Sequence, residues 1–168
     1  MTRLLIITIA LLGGLAQAKP PNVLLILADD LSWFDIGCYG NEDVRTPNID
    51  KLASDGMKFS NAFTATAMCA PTRQQLYTGL FPVRNGAMAN HSEVKPGTKS
   101  IVHHLGGLGY DVHLYGMTHF GPTDSFPFEI TKKLILPKGP DPFCLVVATK
   151  MPHQPWPKNE TYDPEKLS

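Results

Sequence analysis

Residues 23–30 read Val23-Leu24-Leu25-Ile26-Leu27-Ala28-Asp29-Asp30. The apolar run is short, continuous and ended abruptly by two carboxylates. That pattern predicts a strand buried on both faces, as in a parallel sheet. In open parallel sheets ligands gather at the carboxyl ends of strands, and Asp29 and Asp30 stand side by side at that end. Adjacent carboxylates repel unless a cation or base lies between them. A hard divalent ion, Ca²⁺ or Mg²⁺, would supply that charge. A helix N-cap with a solvated neighbour is the other reading this dipeptide allows.

Working outward, the chain alternates strands and helices. Thr46-Pro47 predicts a helix start, with Thr46 as N-cap and Pro47 in the first turn. Ile49, Leu52 and Ala53 follow at helical spacing, and Gly56 supplies a stop. Pro71 to Tyr77 reads as a second helix closed by Gly79. Ser100 to Leu108 reads as a third, with Ile101, Leu105 and Leu108 on one face. Tyr110 to Tyr115 alternates like a half-buried strand. Phe143 to Ala148 is apolar on both faces. Strands and helices in this order predict an α/β sheet with crossovers. The proline-rich stretch from Gly121 to Pro142 is predicted to be a loop.

Composition limits the alternatives. The chain has 168 residues, 43% hydrophobic and 18% charged, with 15 basic and 15 acidic side chains. This is a globular composition, and its zero net charge gives no footprint for nucleic acid or an anionic membrane. Its 14 glycines and 15 prolines exceed the usual combined share of about 12%, which predicts a loop-rich molecule. Residues 1–18 carry one charge, Arg3, then an apolar run from Leu4 to Leu15 and the small-x-small triplet Ala16-Gln17-Ala18. That is the pattern of a cleaved signal peptide, and the run falls short of the roughly 20 residues that span a bilayer. The chain is therefore expected to be exported, to a periplasmic or extracellular location or a lysosomal one in a eukaryote, with no membrane span after cleavage. Asn159-Glu160-Thr161 is a glycosylation sequon for a eukaryotic secretory route.

Export gives the odd number of cysteines a meaning. Cys38, Cys69 and Cys144 leave at least one thiol unpaired or modified. Cys144 lies in an apolar run and reads as a small buried hydrophobe; a Cys38–Cys144 bridge is allowed but has no support. Residues 69–79 read Cys69-Ala70-Pro71-Thr72-Arg73-Gln74-Gln75-Leu76-Tyr77-Thr78-Gly79. Cys69 precedes a helix start, whose free N–H groups favour anions. Arg73, one turn on, suits tetrahedral oxyanions. From the residues alone, Cys69 is the nucleophile of a thiolate enzyme or a structural cysteine beside an anion pocket.

This segment resembles the type I sulfatase signature, Cys-x-Pro-Ser/Thr-Arg followed by Leu-x-Thr-Gly, with every fixed position present. The opening from Asn22 to Asp30, the stretch from Thr46 to Ala53 with Gly56, Gly109-Tyr110 through His119, and Pro152-His153-x-Pro155 are similar to further segments of that family. The resemblance covers residues 21–121 well and 142–168 more loosely. It implies an α/β fold of the sulfatase and alkaline phosphatase type: a mixed, largely parallel sheet flanked by helices. By the same resemblance, residues 19–168 form the amino-terminal part of a sulfatase catalytic domain, with 122–141 irregular or shortened.

The resemblance also implies a mechanism. Cys69 would be oxidised by a formylglycine-generating enzyme to the catalytic aldehyde, whose hydrate attacks the sulfur of a sulfate ester. Asp29, Asp30 and the modified Cys69 would hold Ca²⁺ or Mg²⁺. Arg73 would steady the hydrate, and His119 and His153 would hydrogen-bond or move protons at the nucleophile and leaving oxygen. His91, His103, His104 and His113 match no family position and read as structural. The implied substrate is a sulfated small molecule or polysaccharide.

Three departures qualify that expectation. The family's Gly-Lys-x-His is Gly116-Met117-Thr118-His119 here, and methionine supplies neither charge nor a hydrogen-bond donor. The stretch from Ser125 to Pro140 is compressed. Family members run to several hundred residues, and their later segments add an Asp-Asn pair and a second lysine. Three readings follow: the amino-terminal part of a sulfatase, weakly active or inactive alone; a related phosphodiesterase or phosphonate hydrolase; and a secreted, catalytically dead anion-binding remnant.

Overall fold

A computed structural model describes residues 19–153. The expected signal peptide, Pro155 and the Asn159 sequon lie outside the described residues. Four strands form one sheet: β1 (Val23–Asp29), β2 (Asp111–Gly116), β3 (Glu129–Thr131) and β4 (Phe143–Pro152). The spatial order is β1-β4-β2-β3, and every pair is parallel. The helices are α1 (Pro47–Asp55), α2 (Cys69–Thr78), α3 (Pro82–Asn85) and α4 (Ile101–Gly106). A parallel sheet requires crossovers, and the helices and long loops supply them.

β4 matches its sequence pattern. It is central, paired on both sides, and Cys144 to Ala148 are all buried. β1 corrects the expectation of a strand covered on both faces. Val23, Leu25 and Leu27 pack against the core, whereas Leu24 and Ile26 are 54% and 59% exposed. Both faces of a strand are buried only where layers cover both, and among the described residues the core covers one face of β1. The apolar run is common to both situations, so it could not distinguish them.

The stretch predicted to be a loop contributes β3, whose His113↔Glu129 register extends the sheet beyond β2. Three residues fixed by tertiary pairing leave no periodicity to read. The rest of 121–142 is irregular apart from a 3₁₀ turn at Thr123–Ser125. Phe126 and Phe128 from this segment join Tyr77 and Phe120 in an aromatic cluster, with the Tyr77–Phe128 ring centroids 5.2 Å apart.

The helix boundaries follow local chemistry. Thr46 is the N-cap of α1, but its hydroxyl accepts from Gly37 N–H and donates to Asp50 instead of capping. α2 begins at Cys69, two residues earlier than the Pro71 start the sequence predicts, so Cys69 is its first residue rather than lying ahead of it. Gly79 ends it at φ +67°, donating its N–H to Gln75 O. α4 stops at Gly106, shorter than expected, in the glycine-rich stretch Gly106-Gly107-Leu108-Gly109. Ile101 and Leu105 pack on the core, while Leu108 is exposed. All three cysteines are free, which removes the Cys38–Cys144 bridge.

Candidate active site

The candidate residues converge on one edge of the sheet. Asp29 is the last residue of β1, His119 lies three residues beyond β2, and His153 immediately follows β4. Parallel strands end on the same side, so residues distant in sequence meet there. The β1–β4 register slips between Ala28 and Asp29, which places Asp29 opposite Pro152.

Asp29 is the centre of the constellation. Its carboxylate is 6% exposed. Oδ1 accepts from Arg73 Nη2 at 3.2 Å, and Oδ2 lies 3.8 Å from Cys69 Sγ. Cys69 and Arg73 reach the same carboxylate because four residues of helix put both on one face. Arg73 is 4% exposed. Its Nε and Nη1 have no hydrogen-bond partner among the described residues. The guanidinium lies near enough to Tyr77 to favour its phenolate, though outside hydrogen-bond geometry. Burial outweighs that influence and pushes the Tyr77 hydroxyl up to about 12.

Asp30 is the more exposed of the two carboxylates. It sits at φ +61°, largely exposed, with Oδ2 3.8 Å from His153 Nε2. Asp29, Cys69 and His153 each present a donor atom within 4.8 Å of the others. Burial pushes the Cys69 thiol up, and the charges of Asp29 and Asp30 add to it. The helix N-terminus alone would favour a thiolate; the two carboxylates oppose it.

His119 stands at the rim, with φ +44°. Burial lowers its pKa, and the neighbouring His91 and Arg73 act in the same direction. Its Nε2 is 3.0 Å from His91 Nδ1. The sequence marks His91 only as a structural histidine; the structure brings it, at φ +64°, into direct contact with a candidate catalytic group. No local signal in Ala89-Asn90-His91-Ser92 marks that contact, which depends on the loop meeting the segment after β2, where Val94 N–H also donates to Gly121 O. Asn90 is likewise drawn in, accepting from Ala70 N–H at 3.5 Å.

Met117 packs against the hydrophobic core, and its N–H donates to Ala148 O. The preceding Gly116 has φ +100°, and a Cβ there would collide with the Ala148 carbonyl. The backbone thus leaves β2 through a conformation that glycine alone accommodates here, and the side chain after it is apolar. A cleft of about 300 Å³ opens beside Cys69, lined by Asp29, Asp30, Thr64, Met68, Thr72 and Arg73 among others.

A parallel α/β sheet that places a cysteine at a helix start, a buried guanidinium and two adjacent carboxylates together at the end of β1 has the layout of an α/β enzyme. The sequence model of the sulfatase family matches residues 21–131, and the chain belongs to that family. It is 40% identical over 156 residues to an ulvan-active sulfatase of Formosa agariphila, covering 82% of this chain and 31% of the relative. A solved structure in complex with its substrate D-glucosamine-2-N,6-O-disulfate superposes with a TM-score of 0.72 at 24% identity, covering 82% of this chain and 36% of that one. The phosphonate monoester hydrolase of Agrobacterium radiobacter superposes at 0.52 with 37% identity, over 58% of this chain and 19% of that one. The chain thus spans about a third or less of the curated relatives it matches, and its fold is the α/β fold of sulfatases.

Proposed function

We propose that this chain carries the nucleophile, the anion-binding arginine and the first two metal-binding carboxylates of an exported sulfuric ester hydrolase. The observation that carries the reading is the convergence of Cys69 and Arg73 on one buried carboxylate, Asp29. In this reading a formylglycine-generating enzyme acts on the Cys69-Ala70-Pro71-Thr72-Arg73 segment. The resulting aldehyde supplies a hydrated nucleophile with one hydroxyl to attack and a second to expel sulfate.

Asp29 and Asp30 offer adjacent hard oxygen donors, which suits Ca²⁺ or Mg²⁺. Such an ion supplies Lewis acidity toward a sulfate oxygen. Arg73 fixes the Asp29 carboxylate and sets a permanent positive charge at the pocket wall, where it attracts sulfate and steadies developing negative charge. His119, biased toward the neutral form, accepts a proton near the nucleophile. His153, beside Asp30, serves the leaving oxygen. Met117 leaves one sulfate oxygen without the charged partner a lysine gives. Removing one such contact costs roughly a hundred- to a thousandfold in rate.

The similarity to an ulvan-active sulfatase supports a sulfated saccharide as substrate. The apolar stretch at residues 4–15 supports export. No described helix is long and apolar enough to cross a membrane.

The test is to express the full chain with a formylglycine-generating enzyme and to measure the mass of the Cys69 peptide. Conversion is expected; cysteine alone overturns the mechanism. Turnover of an aryl sulfate by the converted chain is expected to be low, because two carboxylates and one modified side chain fall short of the 6–8 oxygens Ca²⁺ takes. Robust turnover would overturn that expectation. The likeness to a phosphonate monoester hydrolase favours a second reading, since arginine and a divalent ion serve phosphorus as well as sulfur. Preference for a phosphonate monoester over the matching sulfate would select it. Sulfate binding without turnover of either ester would select an anion-binding remnant.

A further inference from the structure

We infer that, while Cys69 remains an unmodified cysteine, Asp29, Cys69 and His153 form a binding site for Zn²⁺ or a similar soft divalent ion. The inference rests on the site of the proposed function but concerns its unconverted state. The three residues come from three separately fixed places: the end of β1, the first turn of α2 and the end of β4. Their donor atoms already lie within 4.8 Å of one another, and Cys69 Sγ is 3.8 Å from Asp29 Oδ2.

Zinc–sulfur and zinc–nitrogen bonds of about 2.3 and 2.0 Å place two donors of a tetrahedral ion on the order of 3.3–3.8 Å apart. The group therefore needs to contract by roughly 1.5 Å at most. Its chemistry is equally specific. One thiol, one imidazole and one carboxylate are zinc donors, whereas Ca²⁺ and Mg²⁺ take oxygen. Asp29 Oδ1 is committed to Arg73, which holds the carboxylate and leaves Oδ2 toward the sulfur. Asp30, 3.8 Å from the His153 imidazole, or a water completes the fourth position.

On binding, the S–H bond breaks, an S–metal bond forms and the proton passes to solvent. Conversion of Cys69 to a hydrated aldehyde exchanges sulfur for oxygen at the same place. The site then changes preference from a soft ion to a hard one. A soft ion held by the unconverted thiol would also shield it from the converting enzyme.

The experiment uses the full chain expressed without a formylglycine-generating enzyme and titrated with Co²⁺ as a spectroscopic stand-in for Zn²⁺. A thiolate-to-cobalt charge-transfer band is expected, displaced by stoichiometric Zn²⁺ and unaffected by millimolar Ca²⁺. Cys69→Ala should abolish the band, and His153→Ala should weaken Co²⁺ binding by at least about tenfold, the loss that disturbing groups behind the ligands already causes. Cys38→Ser should leave both unchanged, with circular dichroism checking that each variant is folded. No band in the unsubstituted chain, a band that survives Cys69→Ala, or affinity unchanged in folded His153→Ala would overturn the inference. The mass of the Cys69 peptide after co-expression reports on the sulfatase reading separately, so either can fail without the other.

Discussion

Arg73 and Asp29 are charges withdrawn from water, and each depends on the other. A buried pair adds little net stability when intact, but breaking it leaves an uncompensated charge. Arg73→Ala is therefore expected to destabilise the chain by about 3–5 kcal/mol, measured by urea denaturation with the slope unchanged. Tyr77, one turn further along α2, carries a pH signature. Its hydroxyl is pushed up to about 12, while an unfolded tyrosine titrates near 10. Between those values the unfolded chain releases a proton that the folded chain keeps. Stability from this group is complete below about pH 10 and is lost toward pH 12, at about 1.4 kcal/mol per pH unit. Tyr77→Phe should remove that part of the alkaline decline, which paired denaturation curves at pH 9 and 11.5 would reveal. At this scale the sequence was informative wherever a residue type is chemically unusual: Asp29-Asp30, Cys69 and Arg73 stood out by identity and spacing. His91 did not, because its significance is a 3.0 Å contact with His119 made across 28 residues.

Among the elements, α2 and the end of β2 do most of the positioning. α2 sets Cys69 and Arg73 on one face, and Gly79 at φ +67° terminates it so that α3 can follow at Pro82. At the end of β2, Gly116 combines φ +100° with a backbone approach that leaves no space for a side chain. Gly116→Ala is expected to cost about 1–3 kcal/mol in backbone strain alone, and more from the collision with Ala148. A fall in the thermal midpoint together with faster exchange of the Met117 amide, which bonds Ala148 O, would register it. The positions of α1, α2 and α4 were readable because Thr46-Pro47, Ser100 and the closing glycines are local punctuation, whereas the four-residue α3 was not read. β3 was not readable, since its three residues are strand only by virtue of lying beside β2.

At the scale of the molecule, the face of β1 left open among the described residues is the main physical consequence. Leu24 and Ile26 alternate outward with Leu25 and Leu27 inward, and Met57, Phe59 and Phe63 are also exposed. Exposed apolar surface of this kind marks an interaction face or a liability to associate. The purified chain is expected to bind an apolar fluorescent dye in native buffer and to do so less when Leu24 and Ile26 are both replaced by lysine. Dye binding unchanged in the double variant would move the apolar surface elsewhere. The amino-acid sequence determined the parallel α/β class, the helix that bears Cys69, and the chemistry available at the strand ends. These follow from local rules: hydrophobic runs, capping residues and the donor types of individual side chains. Tertiary structure decided which face of β1 is covered, that β3 exists, that His91 meets His119, and that Asp29, Cys69 and His153 share one small volume. Those depend on which strands become neighbours, and sheet order brings together residues that no pattern along the chain connects.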